Sequence, residues 1–153
     1  MTTRSHRTGT GSKRKRKPRP LVFDSWAVLA YLQGEGAAEH LADILAEAMQ
    51  AEAPIFMSVV NVGEVWYIVA REVSATEADR SVATLRSWGV EFVAADWPHA
   101  KEATTLKSKH RMSYADAFAA ALAKARKAEL VTGDPEFEQI GDYAGIRWLR
   151  NEG

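Results

Sequence analysis

The sequence predicts an α/β fold, a three-layer α/β/α domain built on a five-stranded parallel sheet. Two observations carry this. Apolar runs of three or four residues are separated by amphipathic stretches of helical length, and the two alternate from residue 20 to the end of the chain. Short strands that are apolar on both faces, joined through helices, are the pattern of a parallel sheet covered on both sides. A chain of 153 residues, 46% of them apolar, suffices for one core. No internal repeat is visible.

The elements follow in order. Leu21-Val22-Phe23 reads as a strand ending at Asp24, and residues 25–33 and 37–51 as helices split by Gly34-Glu35-Gly36. Ile55-Phe56-Met57 is a second strand that runs directly into a helix over roughly 58–72. A helix over 75–88 stops at Gly89, and Val90–Val93 is a third strand. Asp96 and Pro98 open a helix over 97–111, and Ser113 starts an alanine-rich helix to about 128. Glu129–Thr132 is a fourth strand, Asp134-Pro135 opens a short helix, and Ile146–Leu149 is a fifth strand. In such sheets ligands sit at the carboxyl ends of the strands.

Composition excludes several classes. No apolar run approaches the ~20 residues of a membrane span, and no hydrophobic leader opens the chain. The absence of cysteine removes disulfide frameworks, thiolate metal sites and cysteine nucleophiles. A soluble, cytoplasmic protein is expected. The formal net charge of zero hides a partition. Residues 1–19 carry eight basic side chains (Arg4, Arg7, Lys13, Arg14, Lys15, Arg16, Lys17, Arg19) and no acid, which leaves 12 bases against 20 acids, a net of −8, beyond them. That segment lacks hydrophobic periodicity and reads as a disordered basic arm ahead of a domain spanning 20–153.

The strand-end rule singles out carboxylates. Asp24 follows strand one and Asp134 follows strand four; Glu64 and Asp116 lie early in helices. Each has a structural alternative: Asp24 and Asp134 can cap the helices they precede, and Ser113-Tyr114-Ala115-Asp116 resembles a capping box. Glu64 sits in a helix rich in Val, Trp, Tyr and Ile that reads as buried on several sides, where Ser58, Asn61 and Glu64 form one polar stripe. A buried carboxylate needs a partner. Four clustered carboxylates either take up protons or hold cations, and an all-oxygen set selects hard ions such as Mg²⁺ or Mn²⁺.

Four segments in this order, Leu21-Val22-Phe23-Asp24-Ser25, Asn61-Val62-Gly63-Glu64, Ser113-Tyr114-Ala115-Asp116-Ala117-Phe118 and Val131-Thr132-Gly133-Asp134-Pro135-Glu136-Phe137, resemble the PIN domain, and most closely the VapC ribonuclease toxins of prokaryotic toxin–antitoxin pairs. The likeness covers about 20–150. It implies a parallel sheet of order 3-2-1-4-5 and a Mg²⁺-dependent endoribonuclease, with Mn²⁺ as substitute. It further implies that Asp24, Glu64 and Asp116 bind the metal, that Asp134 is the fourth acid, and that Ser25 and Thr132 are supporting hydroxyls. The partners implied are RNA, a small antitoxin protein and a second copy of the chain in a homodimer. The basic arm is extra to this pattern.

Lys101, Lys107, Lys109, His110 and Arg111 lie on the stretch leading to Asp116, which makes Lys107, Lys109 and Arg111 candidate RNA contacts, with a solvated helix face as the alternative. Trp26, Tyr31, Trp66 and Tyr67 read as core or subunit-contact residues, with base stacking as the alternative. His40, His99 and His110 show no pairing and read as solvated. Two rival functions stand beside the nuclease. One is a catalytically inactive PIN-like module that binds RNA or protein. The other is a phosphatase or phosphoacceptor domain, but Trp26 stands where a dehalogenase-type phosphatase needs a second Asp.

Overall fold

The structure, a computed structural model, describes residues 18–151. Five parallel strands, β1 (Leu21–Phe23), β2 (Ile55–Ser58), β3 (Glu91–Val93), β4 (Glu129–Thr132) and β5 (Ile146–Trp148), form one sheet in the order β3-β2-β1-β4-β5. In register, Leu21 lies opposite both Ile55 and Glu129, and Phe23 opposite Val131. The helices are α1 (Ser25–Leu32), α2 (Ala38–Ala51), α3 (Val59–Glu72), α4 (Ala75–Ser87), α5 (Trp97–Lys109) and α6 (Tyr114–Arg126). The fold class and strand order are those expected.

The period-2 alternation of the strands divides the core into two layers. Leu21, Phe23, Ile55, Met57 and Val131 pack with α1, α2, α3 and α4 on one face. Val22, Phe56 and Leu130 pack with α5 and α6 on the other. Ala117, Ala119, Ala120, Ala121 and Ala123 are fully buried, so α6 lies close against β1, β2 and β4. Successive crossovers run to one side of β1 and then to the other. This leaves a crevice at the carboxyl ends of β1 and β4.

Caps explain where the helices begin. Side-chain oxygens of Asp24, Ser58, Ser74, Asp96 and Ser113 each accept a backbone N–H from the first turn of the helix they precede. Two of these caps leave no loop: Asp24 directly follows β1 and Ser58 is the last residue of β2.

Four expectations are corrected. The segment after Asp134 is a 3₁₀ helix over Pro135–Tyr143, kinked where Gly141 takes φ 57°, rather than a short α-helix. Helix α3 is not buried on several sides: Val59, Trp66 and Tyr67 are exposed along it and Val73 at its end, because α1, α4 and α6 cover only part of its circumference. His40 is buried, and its Nδ1 accepts the Arg150 N–H at 2.8 Å. His99 is half-buried, its Nε2 3.1 Å from the Phe118 carbonyl oxygen and its ring edge-on to Phe118. Of the basic arm, residues 1–17 lie outside the described residues. Pro18 and Arg19 enter β1 in irregular backbone, with Arg19 beside Gly145.

Gly133, between Thr132 and Asp134, carries a packing constraint: a Cβ there collides with Cη2 and Cζ3 of the half-buried Trp26 ring. Gly133→Ala is therefore expected to destabilise the fold by about 1–3 kcal/mol, the usual cost of overpacking. In a Trp26→Leu background the added cost falls below about 0.5 kcal/mol. Urea unfolding of the two singles and the double checks this; equal cost in both backgrounds refutes the clash.

Candidate active site

The crevice is organised around Asp24. Burial there is complete, yet both carboxylate oxygens are bonded: Oδ1 accepts the Ala27 N–H at 2.8 Å, and Oδ2 accepts the Thr132 hydroxyl at 2.5 Å. The same Thr132 oxygen accepts the Asp134 N–H at 3.0 Å. One hydroxyl at the end of β4 thereby fixes the acid that ends β1 and the backbone of the acid that follows β4. Asp134 Oδ1 in turn accepts the Glu136 N–H at 2.9 Å, which caps the 3₁₀ segment.

Above Asp24 lies an open cleft of about 360 Å³ lined by Ser25, Trp26, Glu64, Asp116, Asp134 and Glu136, with Leu29 and Ser113 at its margin. The buried Ser25 hydroxyl donates to Glu64 Oε1, joining α1 to α3. Asp116 is the third residue of α6, its N–H bonded by the Ser113 hydroxyl at 3.0 Å. Four separate segments therefore deliver Asp24, Glu64, Asp116 and Asp134 to one place. Capping and proximity coexist: Asp24 and Asp134 occupy cap positions, Asp116 lies in its helix's first turn, and Asp116 and Asp134 line the cleft while Asp24 is buried close enough to feel both their charges.

Glu136 was not singled out in the sequence. Its signal was available: it lies two residues past Asp134, in the first turn of the segment that Asp134 opens. Among the described residues, no Lys, Arg or His lines the cleft. Burial, reinforced by the charges of Asp116 and Asp134, pushes the Asp24 carboxyl up to about 8, against the pull of the Thr132 and Ala27 hydrogen bonds. Burial, then the charges of Asp134, Glu64 and Glu136, push Asp116 up to about 6, against the neighbouring Ser113 hydroxyl.

Among the described residues, no three Asp, Glu or His side chains converge tightly enough to enclose an ion. Both Asp24 oxygens and one of Glu64 are already engaged within the protein. The candidate RNA contacts divide. Lys107 Nζ donates to the Met112 carbonyl at 2.7 Å, closing the end of α5, whereas Lys109 and Arg111 have exposed side chains, Arg111 close in sequence to Ser113.

Residues 21–143 match the PIN domain family. The chain belongs to that family. Solved structures with the same fold include VapBC2 of Rickettsia felis bound to a DNA fragment from its promoter, at 17% identity and TM-score 0.64, covering 85% of this chain and 98% of that one. DNA-bound VapBC of Salmonella typhimurium aligns at 14% identity and TM-score 0.65, with the same coverage of 85% and 98%. The sarcin–ricin-loop-cleaving toxin VapC20 of Mycobacterium tuberculosis aligns at 20% identity and TM-score 0.58, covering 79% and 95%. No curated protein matches the chain by sequence.

The raised carboxyls of this PIN domain make a pH prediction. The unfolded chain releases the Asp24 proton near its ordinary value of 3.8, and the folded protein holds it until about 8. Between those limits the native state binds more protons, so stability is greatest in acid and falls as pH rises. In chelator, denaturation midpoints are expected to drop from about pH 5 to pH 8.5, with a slope approaching 1.4 kcal/mol per pH unit. Asp24→Asn, which keeps a capping oxygen, flattens the profile. A wild-type profile that rises with pH refutes the assignment.

Proposed function

We propose that this PIN domain is a divalent-metal-dependent endoribonuclease and the toxin of a toxin–antitoxin pair. The observation that carries the reading is the gathering of Glu64, Asp116 and Asp134 around one cleft, with the buried Asp24 beside them and no Lys, Arg or His in the lining among the described residues. The VapBC and VapC structures that share the fold support it.

The donor set fits a hard divalent ion in chemistry, being all carboxylate. The spread of the acids favours direct binding by one or two of them, with the others acting through water, a mode Mg²⁺ commonly adopts. When bound, such an ion supplies a water of lowered pKa and neutralises charge on phosphoryl oxygens. Asp116 and Glu64, both half-buried at the cleft wall, are the groups assigned to hold it. Asp24, buried beside Asp116 and Asp134, would release its proton when a cation enters, with Thr132 and Ser25 orienting Asp24 and Glu64. Asp134 and Glu136, which also line the cleft, would act on the ion through water. Among the described residues no histidine lines the cleft: His40 and His99 are turned to the Arg150 N–H and the Phe118 carbonyl, and His110 is not part of the lining.

Lys109 and Arg111 are assigned to RNA phosphates beside the cleft, and Lys107 to bracing their loop. Val59, Trp66 and Val73 recur every seven residues on the exposed side of α3, with Tyr67 beside them. An apolar stripe of this kind supports cover by a second copy or by an antitoxin. The inactive binding module draws on one observation, the absence of a preformed ion cage.

Antitoxin-free protein is expected to cleave single-stranded or loop RNA with Mg²⁺ or Mn²⁺ and to stop in EDTA. Asp116→Asn and Glu64→Gln lower the rate by roughly 100-fold or more while metal-free melts stay equal or rise, because like charges are removed. Asp134→Asn is milder, since Asn also caps. Cleavage unchanged in chelator refutes the metal mechanism, and no cleavage with either ion favours the binding module. The basic segment is assigned to non-specific phosphate contact. Deleting residues 1–17 is expected to lower the log–log salt slope of RNA binding by roughly 3 units, at about 0.7 per phosphate, in an Asp116→Asn background. Identical slopes remove that role.

A further inference from the structure

Asp116 is held differently from the acids around it. Asp24 is bonded by Ala27 and Thr132, Glu64 by Ser25, and Asp134 by the Glu136 N–H. Among the described residues, the Asp116 carboxylate has the Ser113 hydroxyl of its own turn as its hydrogen-bond partner and none from another element. Where it points in the cleft is therefore decided by where the first turn of α6 sits.

Two side-chain amides from other segments hold that turn and the loop before it. Asn61, one turn before Glu64 on α3, donates from Nδ2 to the Ala115 carbonyl at 3.0 Å. Gln139, on the 3₁₀ segment that carries Glu136, brackets the backbone of Arg111. Its Oε1 accepts the Arg111 N–H at 3.2 Å, and its Nε2 donates to the Arg111 carbonyl and to the Glu136 carbonyl, both at 2.9 Å. The first amide links the two helices that carry Glu64 and Asp116. The second links the loop entering α6 to the wall that carries Asp134 and Glu136.

We propose that Asn61 and Gln139 are positioning residues that set the spacing of Asp116 from Glu64 on one side and from Asp134 and Glu136 on the other. The inference rests on the nuclease reading above and adds which residues tune that site. Stability alone does not account for Asn61. Its side chain is completely buried and its Oδ1 has no partner, an arrangement that costs a fold rather than helps it. The Ala115 carbonyl, inside an α-helix, has a second partner four residues on, so losing Asn61 strands no acceptor. A leucine keeps the branched shape without the orphaned oxygen, at the cost of two methyls bulkier than the amide. What the amide supplies and leucine cannot is a fixed tie between the two acid-bearing helices.

The test compares full-length wild type, Asn61→Leu and Gln139→Leu in three measurements: thermal melts, amide exchange at Ala117 and Phe118, and Mn²⁺ binding followed by electron paramagnetic resonance. Asn61→Leu is expected to melt within about 4 °C of wild type or above it. Its exchange in the first turn of α6 should quicken, and its Mn²⁺ affinity should fall by about 10–100-fold. Gln139→Leu, at an exposed position, loses up to about 10-fold with the same pattern. Unchanged exchange in both variants overturns the proposal whatever Mn²⁺ does. Quickened exchange with undiminished Mn²⁺ affinity also overturns it, as does a loss of affinity that merely follows a fall in melting temperature. Wild-type protein that binds no Mn²⁺ removes the metal reading itself, and the exchange comparison then decides separately whether the amides hold the turn.

Discussion

The hydrogen bond from Thr132 to Asp24 is the interaction on which the rest of the site depends. It ties the carboxyl end of the central strand to the carboxyl end of its neighbour, below a cleft that opens only because the chain crosses over on opposite sides of β1. The Thr132 hydroxyl works in both directions, donating to Asp24 and accepting from Asp134. Valine, of the same shape, removes both bonds and leaves a fully buried carboxylate short of a donor, the costly side of the hydrogen-bond asymmetry. Thr132 thus fixes two acids at once, and Ser25 does the same for a third by reaching Glu64 across from α1.

Crowding these acids has an electrostatic consequence beyond the cleft. Beyond residue 19 the chain carries a net charge of −8, and the concavity assigned to a polyanion is itself lined by four carboxylates. Repulsion between the acids and an incoming phosphate disappears only when protons or cations enter between them. In the PIN-domain reading the ion therefore has two tasks, chemistry and admission of the substrate. Lys109 and Arg111 are exposed and precede the helix that carries Asp116, and in the nuclease reading proposed above they would attract phosphate without neutralising the carboxylates.

Much of this was legible from residue order, because the relevant signals are local. Leu21–Phe23 and Glu129–Thr132 are apolar runs bounded by acids, so the strands and the acids at their ends read directly, and the strand-end rule then points to Asp24 and Asp134. Glu64 stood out as a carboxylate in an apolar helix, though that helix proved exposed along one side. Burial of α3 depends on which neighbours reach it, a property of the tertiary arrangement that periodicity does not carry. His40 and His99 were misread for the same reason, since their partners, Arg150 and Phe118, are distant in sequence. Glu136 and Gln139 were passed over because their relevance depends on the 3₁₀ path after Pro135, where the α-helical period does not apply.

Capping and clustering, which compete as readings of sequence, cooperate in the fold. Asp24 and Asp134 occupy N-cap positions and Asp116 the third residue of α6, so three segment N-termini turn their unpaired N–H groups and positive dipole ends toward the same cleft. Each such placement is worth about 0.3–1 kcal/mol to an anion, enough to hold a carboxylate in position and to offset part of its repulsion from the others. It does not offset burial. Asp24 remains raised to about 8 despite two hydrogen bonds and a helix N-terminus, and Asp116 to about 6. The backbone therefore arranges the acids but leaves their charge undercompensated, and the deficit is concentrated at one cleft wall. In the nuclease reading proposed above, that deficit is what a divalent ion would relieve.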